Sequence, residues 1–204
     1  MNWKYNHPTR NLFTYATILF LLLGTAALFY WNKEQVFLWL NHQHTYTADV
    51  ILKYFTYIGD GIFMLGLGLL LLLFRFRKLG VLMLLSFLLS GLLAQSIKRI
   101  EARPRPGLHF QNPDIIHRVD DVLLKGKNSF PSGHTTTAFA TFSLLAFASR
   151  NKFVQFLYFA IAVTIGYSRI YLGQHFAEDV LMGAAVGFLS SYFLTWLLRK
   201  KEWD

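Results

Sequence analysis

The sequence predicts an all-α integral membrane bundle of six transmembrane helices, with short interfacial helices on the extracytoplasmic side. Of the 204 residues, 54% are hydrophobic and 15% are charged, whereas soluble domains usually contain about 25% charged residues. The apolar residues form long runs without charges, and the charged residues lie between these runs. Because a charge at the bilayer centre costs about 2.5 kcal/mol or more, the charged segments are expected at the interfaces.

Six charge-free runs predict the spans. The first is long enough to cross about 30 Å of hydrocarbon and is longer than the apolar core of a secretory signal, so we expect an uncleaved span. The second is the shortest and directly follows Asp60. In chain order the runs are Leu12–Trp31, Gly61–Phe74, Leu79–Ile97, Ser129–Ser149, Phe153–Ser168 and Val180–Leu198.

The connections between the runs predict smaller elements. Residues 33–43 mix apolar and polar side chains in a way that is typical of a short interfacial helix, and a second helical piece is expected from Tyr46 to Tyr57. The connection Lys98–Asn128 contains three prolines and is predicted to be irregular. No repeat or linker divides the sequence, so we expect a single domain over residues 1–204.

Basic residues predict the orientation in the membrane. An even number of spans places both termini on one side. Two sets of segments result: 1–11, 75–78, 150–152 and 199–204 in the first, and 32–60, 98–128 and 169–179 in the second. Each set contains ten Lys and Arg residues, but the second is about three times as long. The denser first set is therefore predicted to be cytoplasmic, which places the second set outside the cell membrane.

Three polar stretches in the second set carry residues suited to chemistry. They are Lys98-x6-Arg105-Pro106, Pro131-Ser132-Gly133-His134 and Ser168-Arg169-x5-His175-x3-Asp179. Together they supply three cations, a turn that opens a helix, two histidines and a carboxylate. These groups are suited to binding a phosphate and transferring it.

The first stretch leaves alternatives open. Lys98 ends the third span, where a long side chain can simply extend to the interface. Arg105 is stiffened by neighbouring prolines and is the stronger candidate for binding an anion. Arg99 and Arg103 compete with it, and the residues alone do not exclude them.

The other two stretches combine a helix start with a histidine pair. Ser132 suits an N-cap, and the free amides at a helix start attract anions; an ordinary cap with a solvent-facing His134 is the alternative. His175 and Asp179 are four residues apart and share a helix face. Asp179 can therefore hold one ring nitrogen of His175 and leave the other free to react, although a purely structural pair fits the same spacing.

The three stretches resemble the tripartite signature of the phosphatidic acid phosphatase type 2 / haloperoxidase superfamily, K-x6-RP, PSGH and SR-x5-H-x3-D, without a departure. The length and overall pattern look most like bacterial phosphatidylglycerophosphatase B proteins. The resemblance implies that the phosphate is bound by five residues, Lys98, Arg105, Ser132, Gly133 and Arg169. It also implies that His175 is the nucleophile, that Asp179 orients it, and that His134 protonates the leaving alkoxide and later activates water.

The resemblance implies an integral membrane phosphatase that acts through a phosphohistidine, without a metal or other cofactor. Phosphatidylglycerol phosphate is the expected substrate, with undecaprenyl diphosphate as the alternative and phosphatidate or diacylglycerol pyrophosphate also open. An anionic-lipid transporter and a vanadate-dependent oxidase are the competing classes. The partners we expect are the lipid substrate and the bilayer, with no nucleic acid and no obligate protein. The motifs do not distinguish monoesters from pyrophosphates, and they leave the oligomeric state open.

Overall fold

The computed structural model describes residues 8–198 apart from residues 75 and 125, and this part of the chain is helical, without a β-strand. Residues 1–7, 75 and 199–204, which belong to the predicted cytoplasmic set, lie outside the described residues. Three short 3-10 turns accompany the α-helices, at Pro8–Arg10, Thr56–Gly59 and Pro113–Ile115. The helices are α1 (Leu12–Tyr30), α2 (Lys33–Asn41), α3 (Tyr46–Phe55), α4 (Gly61–Leu73), α5 (Arg77–Glu101), α6 (Pro106–His109), α7 (Gly133–Ala148), α8 (Lys152–Tyr171) and α9 (Ala177–Leu198).

A helix lies at each of the six predicted span positions, but their lengths differ. Within the described residues, α1, α5, α8 and α9 are each long and apolar enough to cross a membrane. The segments Tyr46–Gly59 and Gly61–Leu73 qualify together as a fifth, with a bend of 52° between them. The helix α7 has 16 residues. The structure therefore supports an all-helical membrane protein with four or five candidate spans, and the number six stays a prediction.

Side-chain caps explain where several helices begin. Asn32 caps α2 in a reciprocal capping box with Gln35, and Asp60 caps α4 by accepting a hydrogen bond from the Ile62 amide. Ser132 caps α7 in the same way. Because each cap satisfies amides that have no partner inside the helix, these residues determine the helix start. The cap at Asp60 also explains why the interfacial helix ends before α4 instead of continuing into it.

The helix α7 forms the centre of the bundle. It packs against α5, α8 and α9, and most of its side chains are buried, including Phe139, Leu144 and Phe147. In contrast, α1, α4 and α5 expose large apolar side chains on their outer faces. A surface of this kind is expected where helices meet lipid. The enclosure of α7 by other helices fits its shortness, because little of it contacts the surroundings.

Two glycines bring α9 close to the first turns of α7. A Cβ atom added at Gly183 would lie 2.6 Å from the Ser132 carbonyl oxygen, and one added at Gly187 would overlap the Thr136 carbonyl oxygen. Gly183 and Gly187 form a Gly-x3-Gly spacing, which allows helices in membranes to approach each other closely. The consequence is a short distance between the start of α7 and the start of α9, where two of the three polar stretches lie.

A polar layer covers one end of the bundle and ties the irregular connection to it. Asn41 is fully buried; its Nδ2 donates to the Tyr171 carbonyl at 2.8 Å, and its Oδ1 accepts from the His117 amide at 2.7 Å. The imidazole of His117 lies 2.8 Å from an oxygen of Asp49. The Asn41 side chain thus joins α2, the connection after α5 and the end of α8. These contacts fix the position of the segments that carry the polar stretches.

Candidate active site

His175 occupies the short turn between α8 and α9, where it is 2% exposed. Two backbone amides, those of Gln174 and His175, donate to the Arg169 carbonyl, and Gly173 has a positive φ of 66°. This tight turn reverses the chain between the two helices. It places the imidazole of His175 inside the bundle end rather than at its surface.

Asp179 and Ser129 hold the Nδ1 side of this imidazole. Asp179 Oδ2 lies 3.3 Å from His175 Nδ1, accepts a hydrogen bond from Ser129 Oγ at 2.5 Å, and accepts another from the Phe176 amide at 2.8 Å. Ser129 Oγ is also 3.4 Å from His175 Nδ1. Since Nδ1 is engaged by these partners, Nε2 is the ring nitrogen that remains to react with a substrate.

Positive groups from all three stretches act electrostatically on His175. Its pKa is lowered well below the usual value, first by burial and then by the charges of Arg105, Arg169, Lys98 and His134. One of these groups, Lys98, lies 77 positions before His175 in the sequence. The imidazole is kept neutral, which is the state a nucleophile needs.

The structure separates Arg105 from its competitors Arg103 and Arg99. The Arg103 guanidinium pairs with Glu101 at 2.8 Å and with Glu178 at 3.4 Å, and lies over the Phe130 ring. Arg99 is exposed. Arg105 is held by the carbonyls of Lys127 and Gln174, and burial lowers its pKa while Asp179 partly offsets this. Arg105 is thus the one of the three that the fold directs toward His175.

Arg169 and Thr56 form a second buried pair at this site. The Arg169 side chain is 7% exposed, and its Nη1 donates to Thr56 Oγ1 at 2.8 Å. Its Nε is buried and has no hydrogen-bond partner among the described residues. A buried guanidinium N–H without a partner is costly, and an anion at this position would supply the missing acceptor.

The second stretch opens α7 beside the third one. The Ser132 amide donates to the Asp179 carbonyl at 2.9 Å, and Ser132 Oγ accepts from Thr135 Oγ1 at 2.8 Å. A Cβ atom added at Gly133 would meet nothing within 4 Å. The start of α7 therefore borders an open space, and its amides are placed for an anion there.

Lys98 lies at the edge of this site and also holds the segment before α7. Its Nζ donates to the carbonyl oxygens of Asn128 at 3.0 Å and Pro131 at 2.5 Å. The expectation that Lys98 only extends to the interface is thus incomplete, because its ammonium group binds the backbone that leads into Ser132.

His134 faces a cavity of about 210 Å³ between α4, α5 and α7, to which Asp60, Lys98 and Gly133 also contribute. Its Nε2 lies 3.7 Å from Asp60 Oδ2. The imidazole is 27% exposed, so it is accessible from this cavity, whereas His175 is 2% exposed and is not among the described residues that line it.

Ser129, Thr56 and Asp60 belong to the site although sequence reasoning did not select them. Ser129 directly precedes Phe130-Pro131 and gave no motif signal of its own. Thr56 and Asp60 lie between α3 and α4, and only the fold brings this segment to the start of α7. No group of three or more His, Asp or Glu side chains within the described ranges is arranged as a metal site.

Comparison with known proteins adds to this geometry. The sequence model of the PAP2 superfamily matches residues 79–203, which include all three polar stretches. A solved structure, the first transmembrane PAP2 type phosphatidylglycerolphosphate phosphatase from Bacillus subtilis, superposes with a TM-score of 0.69 at 27% identity. The superposition covers 96% of this chain and 98% of that one.

Two curated relatives differ in the substrate that their names give. The chain is 36% identical over 125 residues to the lipid A 4'-phosphatase of Porphyromonas gingivalis, which covers 59% of this chain and 52% of that protein. It is 29% identical over 187 residues to the undecaprenyl-diphosphatase of Sulfolobus acidocaldarius, with 88% and 86% covered. The chain therefore spans about half the length of the first relative and most of the second.

Proposed function

Because the chain belongs to the PAP2 superfamily, we propose that it is an integral membrane lipid phosphatase that removes the terminal phosphate of a lipid phosphate. The observation that carries this proposal is that four side chains from all three stretches, Lys98, Arg105, Arg169 and His134, lie near enough to the buried imidazole of His175 for their charges to lower its pKa. Phosphoryl transfer requires mainly positioning and neutralisation of the equatorial oxygens, and this arrangement supplies both.

The proposed reaction has two steps. His175 Nε2 attacks phosphorus, the N–P bond forms, and the bond between phosphorus and the lipid oxygen breaks while His134 gives its proton to the departing alkoxide. A water then gives a proton to His134 and attacks the phosphohistidine, which releases inorganic phosphate and restores the free imidazole. Asp179 keeps Nδ1 oriented throughout. Lys98, Arg105, Arg169, Ser132 and the Gly133 amide bind the phosphate oxygens.

Phosphatidylglycerol phosphate is the substrate we propose, supported by the likeness over nearly the whole chain to the Bacillus subtilis phosphatidylglycerolphosphate phosphatase. Undecaprenyl diphosphate is the second candidate, because the Sulfolobus acidocaldarius relative with that activity covers 88% of this chain. We further propose six spans in a bacterial cell membrane, both termini in the cytoplasm, and a site at the extracytoplasmic face.

Release of inorganic phosphate by the purified protein tests the activity. We expect hydrolysis of phosphatidylglycerol phosphate without added divalent metal, and a labelled acid-labile phosphohistidine that an anionic-lipid transporter would not form. His175→Ala should reduce kcat by at least about a thousandfold, because the covalent intermediate is lost. His42→Ala, which changes an exposed histidine, serves as the control. Full activity in His175→Ala would exclude His175 as the nucleophile.

A further inference from the structure

The cavity beside His134 lies where the leaving group of the proposed reaction must be. In an in-line displacement the nucleophile and the leaving oxygen occupy opposite sides of phosphorus. His134 contributes to the lining of the cavity, whereas His175 is not among its described lining residues. If His175 attacks and His134 protonates the alkoxide, the cavity receives the group attached to the departing oxygen. This step rests on the function proposed above.

The cavity lining carries negative and neutral polar groups near the leaving oxygen. Asp60 Oδ1 caps α4 through the Ile62 amide at 2.9 Å, which leaves Oδ2 directed toward His134 at 3.7 Å. The neutral polar residues among the described lining residues are Ser90 and Gln95 on α5 and Thr136 and Thr137 on α7. A carboxylate and neutral side chains suit an alcohol and its hydroxyl groups, since they provide hydrogen-bond acceptors.

Two described cavity residues can carry a positive charge, Lys98 and His134. The Lys98 ammonium group also donates to the carbonyls of Asn128 and Pro131, and the Asp60 carboxylate, 3.7 Å from His134 Nε2, offsets the charge that His134 carries before it gives up its proton. Arg105 and Arg169 are not among the described lining residues; their charges act on the side of the site that holds His175. A diphosphate would need to place its second, anionic phosphate in the cavity, beside Asp60, where repulsion between like charges is expected.

We propose that Asp60 selects phosphate monoesters over diphosphates, so that this phosphatase acts on lipids whose reacting phosphate is attached directly to an uncharged alcohol carbon. The three polar stretches bind the terminal phosphate of either class. The discrimination comes from a residue outside them, which faces the leaving group and repels a second phosphate there.

The test measures kcat/KM of the purified full chain for three dioleoyl lipids in the same detergent: phosphatidylglycerol phosphate, phosphatidate and diacylglycerol pyrophosphate. Phosphatidate and diacylglycerol pyrophosphate differ only by the second phosphate. We expect the unmodified protein to favour both monoesters over the pyrophosphate in kcat/KM by at least about tenfold. Asp60→Asn keeps an N-cap of equal quality and removes the charge. It should raise the ratio of pyrophosphate to phosphatidate kcat/KM by about tenfold.

Two further variants complete the experiment. Asp114→Asn removes a carboxylate from an exposed position on the connection after α5 and should leave the ratio unchanged. Gln95→Lys adds a cation to the cavity wall and should raise the ratio in the same direction as Asp60→Asn. If Asp60→Asn is inactive on all lipids, an unchanged ratio in Gln95→Lys would overturn the placement of the second phosphate in this cavity, and with it the role of Asp60.

The outcomes distinguish this inference from the proposed function. Failure of the unmodified protein to release phosphate from any of the three lipids would contradict the proposed function itself. Hydrolysis with the pyrophosphate as the preferred substrate would overturn the role of Asp60 and leave the phosphatase activity standing. An unchanged ratio in an active Asp60→Asn variant would do the same, whatever the ratio in Gln95→Lys.

Discussion

We assign Ser129 as a positioning residue, because its hydroxyl contacts His175 and Asp179 rather than the space where the phosphate is proposed to bind. Its hydroxyl donates to Asp179 Oδ2 at 2.5 Å and lies 3.4 Å from His175 Nδ1. Asp179 Oδ1 is buried without a hydrogen-bond partner among the described residues, so Oδ2 receives the hydrogen bonds that orient the carboxylate. The orientation of the imidazole therefore depends on a hydroxyl as well as on the carboxylate.

Ser129→Ala should lower kcat by about tenfold to a hundredfold, the cost of one hydrogen bond to a charged group. The KM for the lipid should change little, since the phosphate-binding side chains keep their positions. Rates of phosphohistidine formation in single turnovers would measure the effect, and Ser129→Thr, which retains a hydroxyl, should recover part of it. A rise in KM with unchanged kcat would show that Ser129 binds substrate instead.

Arg105 should influence the pH dependence of the reaction through His175. Burial and nearby positive charges lower the pKa of His175, so the imidazole stays neutral as the pH falls through the usual histidine value of about 6.5. Activity is then lost only at lower pH, where His175 becomes protonated. Arg105→Gln removes one positive charge and raises this pKa, so the acid limb of the kcat/KM profile should move to higher pH.

Profiles of the unmodified protein, Arg105→Gln and Arg118→Gln would measure this shift. Arg118 lies on the same connection but is half exposed and pairs with Asp114, so its variant controls for a change in net charge. The ionisation of the substrate is common to all three proteins and cancels in the comparison. A uniform loss of kcat/KM in Arg105→Gln, with the acid limb in place, would contradict an electrostatic effect on His175.

At the scale of elements, the packing of α9 on α7 determines the site. Gly183 and Gly187 let the helices approach so closely that a methyl group has no room. The same approach allows the Ser132 amide to donate to the Asp179 carbonyl at 2.9 Å. The helix start that we propose binds phosphate and the helix start that carries Asp179 are thereby fixed to each other.

Gly187→Ala should destabilise the protein by about 1–3 kcal/mol, because the added Cβ forces α7 and α9 apart, and it should lower kcat as well. Gly66→Ala is the matched control: it lies in α4, and its Cβ would meet nothing within 4 Å, so stability should be equal or slightly higher. Thermal unfolding in detergent and phosphate release measure the two effects. Equal unfolding temperatures for both variants would contradict this packing.

The sequence predicted the positions of the helices more accurately than their lengths. The predicted pieces at residues 33–43 and Tyr46–Tyr57 correspond to α2 and to α3 with its following turn, because amphipathic patterns and caps are local signals. The irregular connection after Lys98 was also predicted correctly from its prolines. The shortness of α7 and the 52° bend before α4 depend on contacts with other helices, which a charge-free run does not encode.

From the sequence, only the site residues that lie within the three motifs could be predicted. All eight residues selected from the three stretches lie at one end of the bundle. There the Ser132 amide donates to the Asp179 carbonyl, and Lys98 Nζ donates to the Pro131 carbonyl. Thr56 and Asp60 could not be selected, because their place beside Arg169 and His134 arises from the turn between α3 and α4. Ser129 likewise acts through a contact with a residue 50 positions away.

At the scale of the whole molecule, the proposed orientation in the membrane rests on the distribution of basic residues. The polar layer that contains Asn41 and His117 lies at the same end of the bundle as His175, and the loop between α7 and α8 lies at the other end. The proposed orientation places the first end outside the cytoplasm. Because the chain contains no cysteine, single cysteines can report on each end without further changes.

Asp114→Cys and Arg150→Cys place a thiol at an exposed position on either end. In intact cells a membrane-impermeant maleimide should label Asp114→Cys, whereas Arg150→Cys should be labelled only after the membrane is opened. Both variants should retain phosphatase activity, which verifies the fold. The reverse pattern of labelling would mean that the site faces the cytoplasm.

The backbone hydrogen bond from Ser132 to Asp179 has a consequence for biosynthesis. A nascent polypeptide emerges in order, so α7 enters the bilayer before the segment that begins with Ala177 has been translated. In the proposed mechanism, the earlier histidine has no oriented nucleophile opposite it until that later segment docks, and hydrolysis cannot start before then. Catalytic competence would then arrive together with completed assembly, and truncated or stalled products would be inert toward the lipids around them.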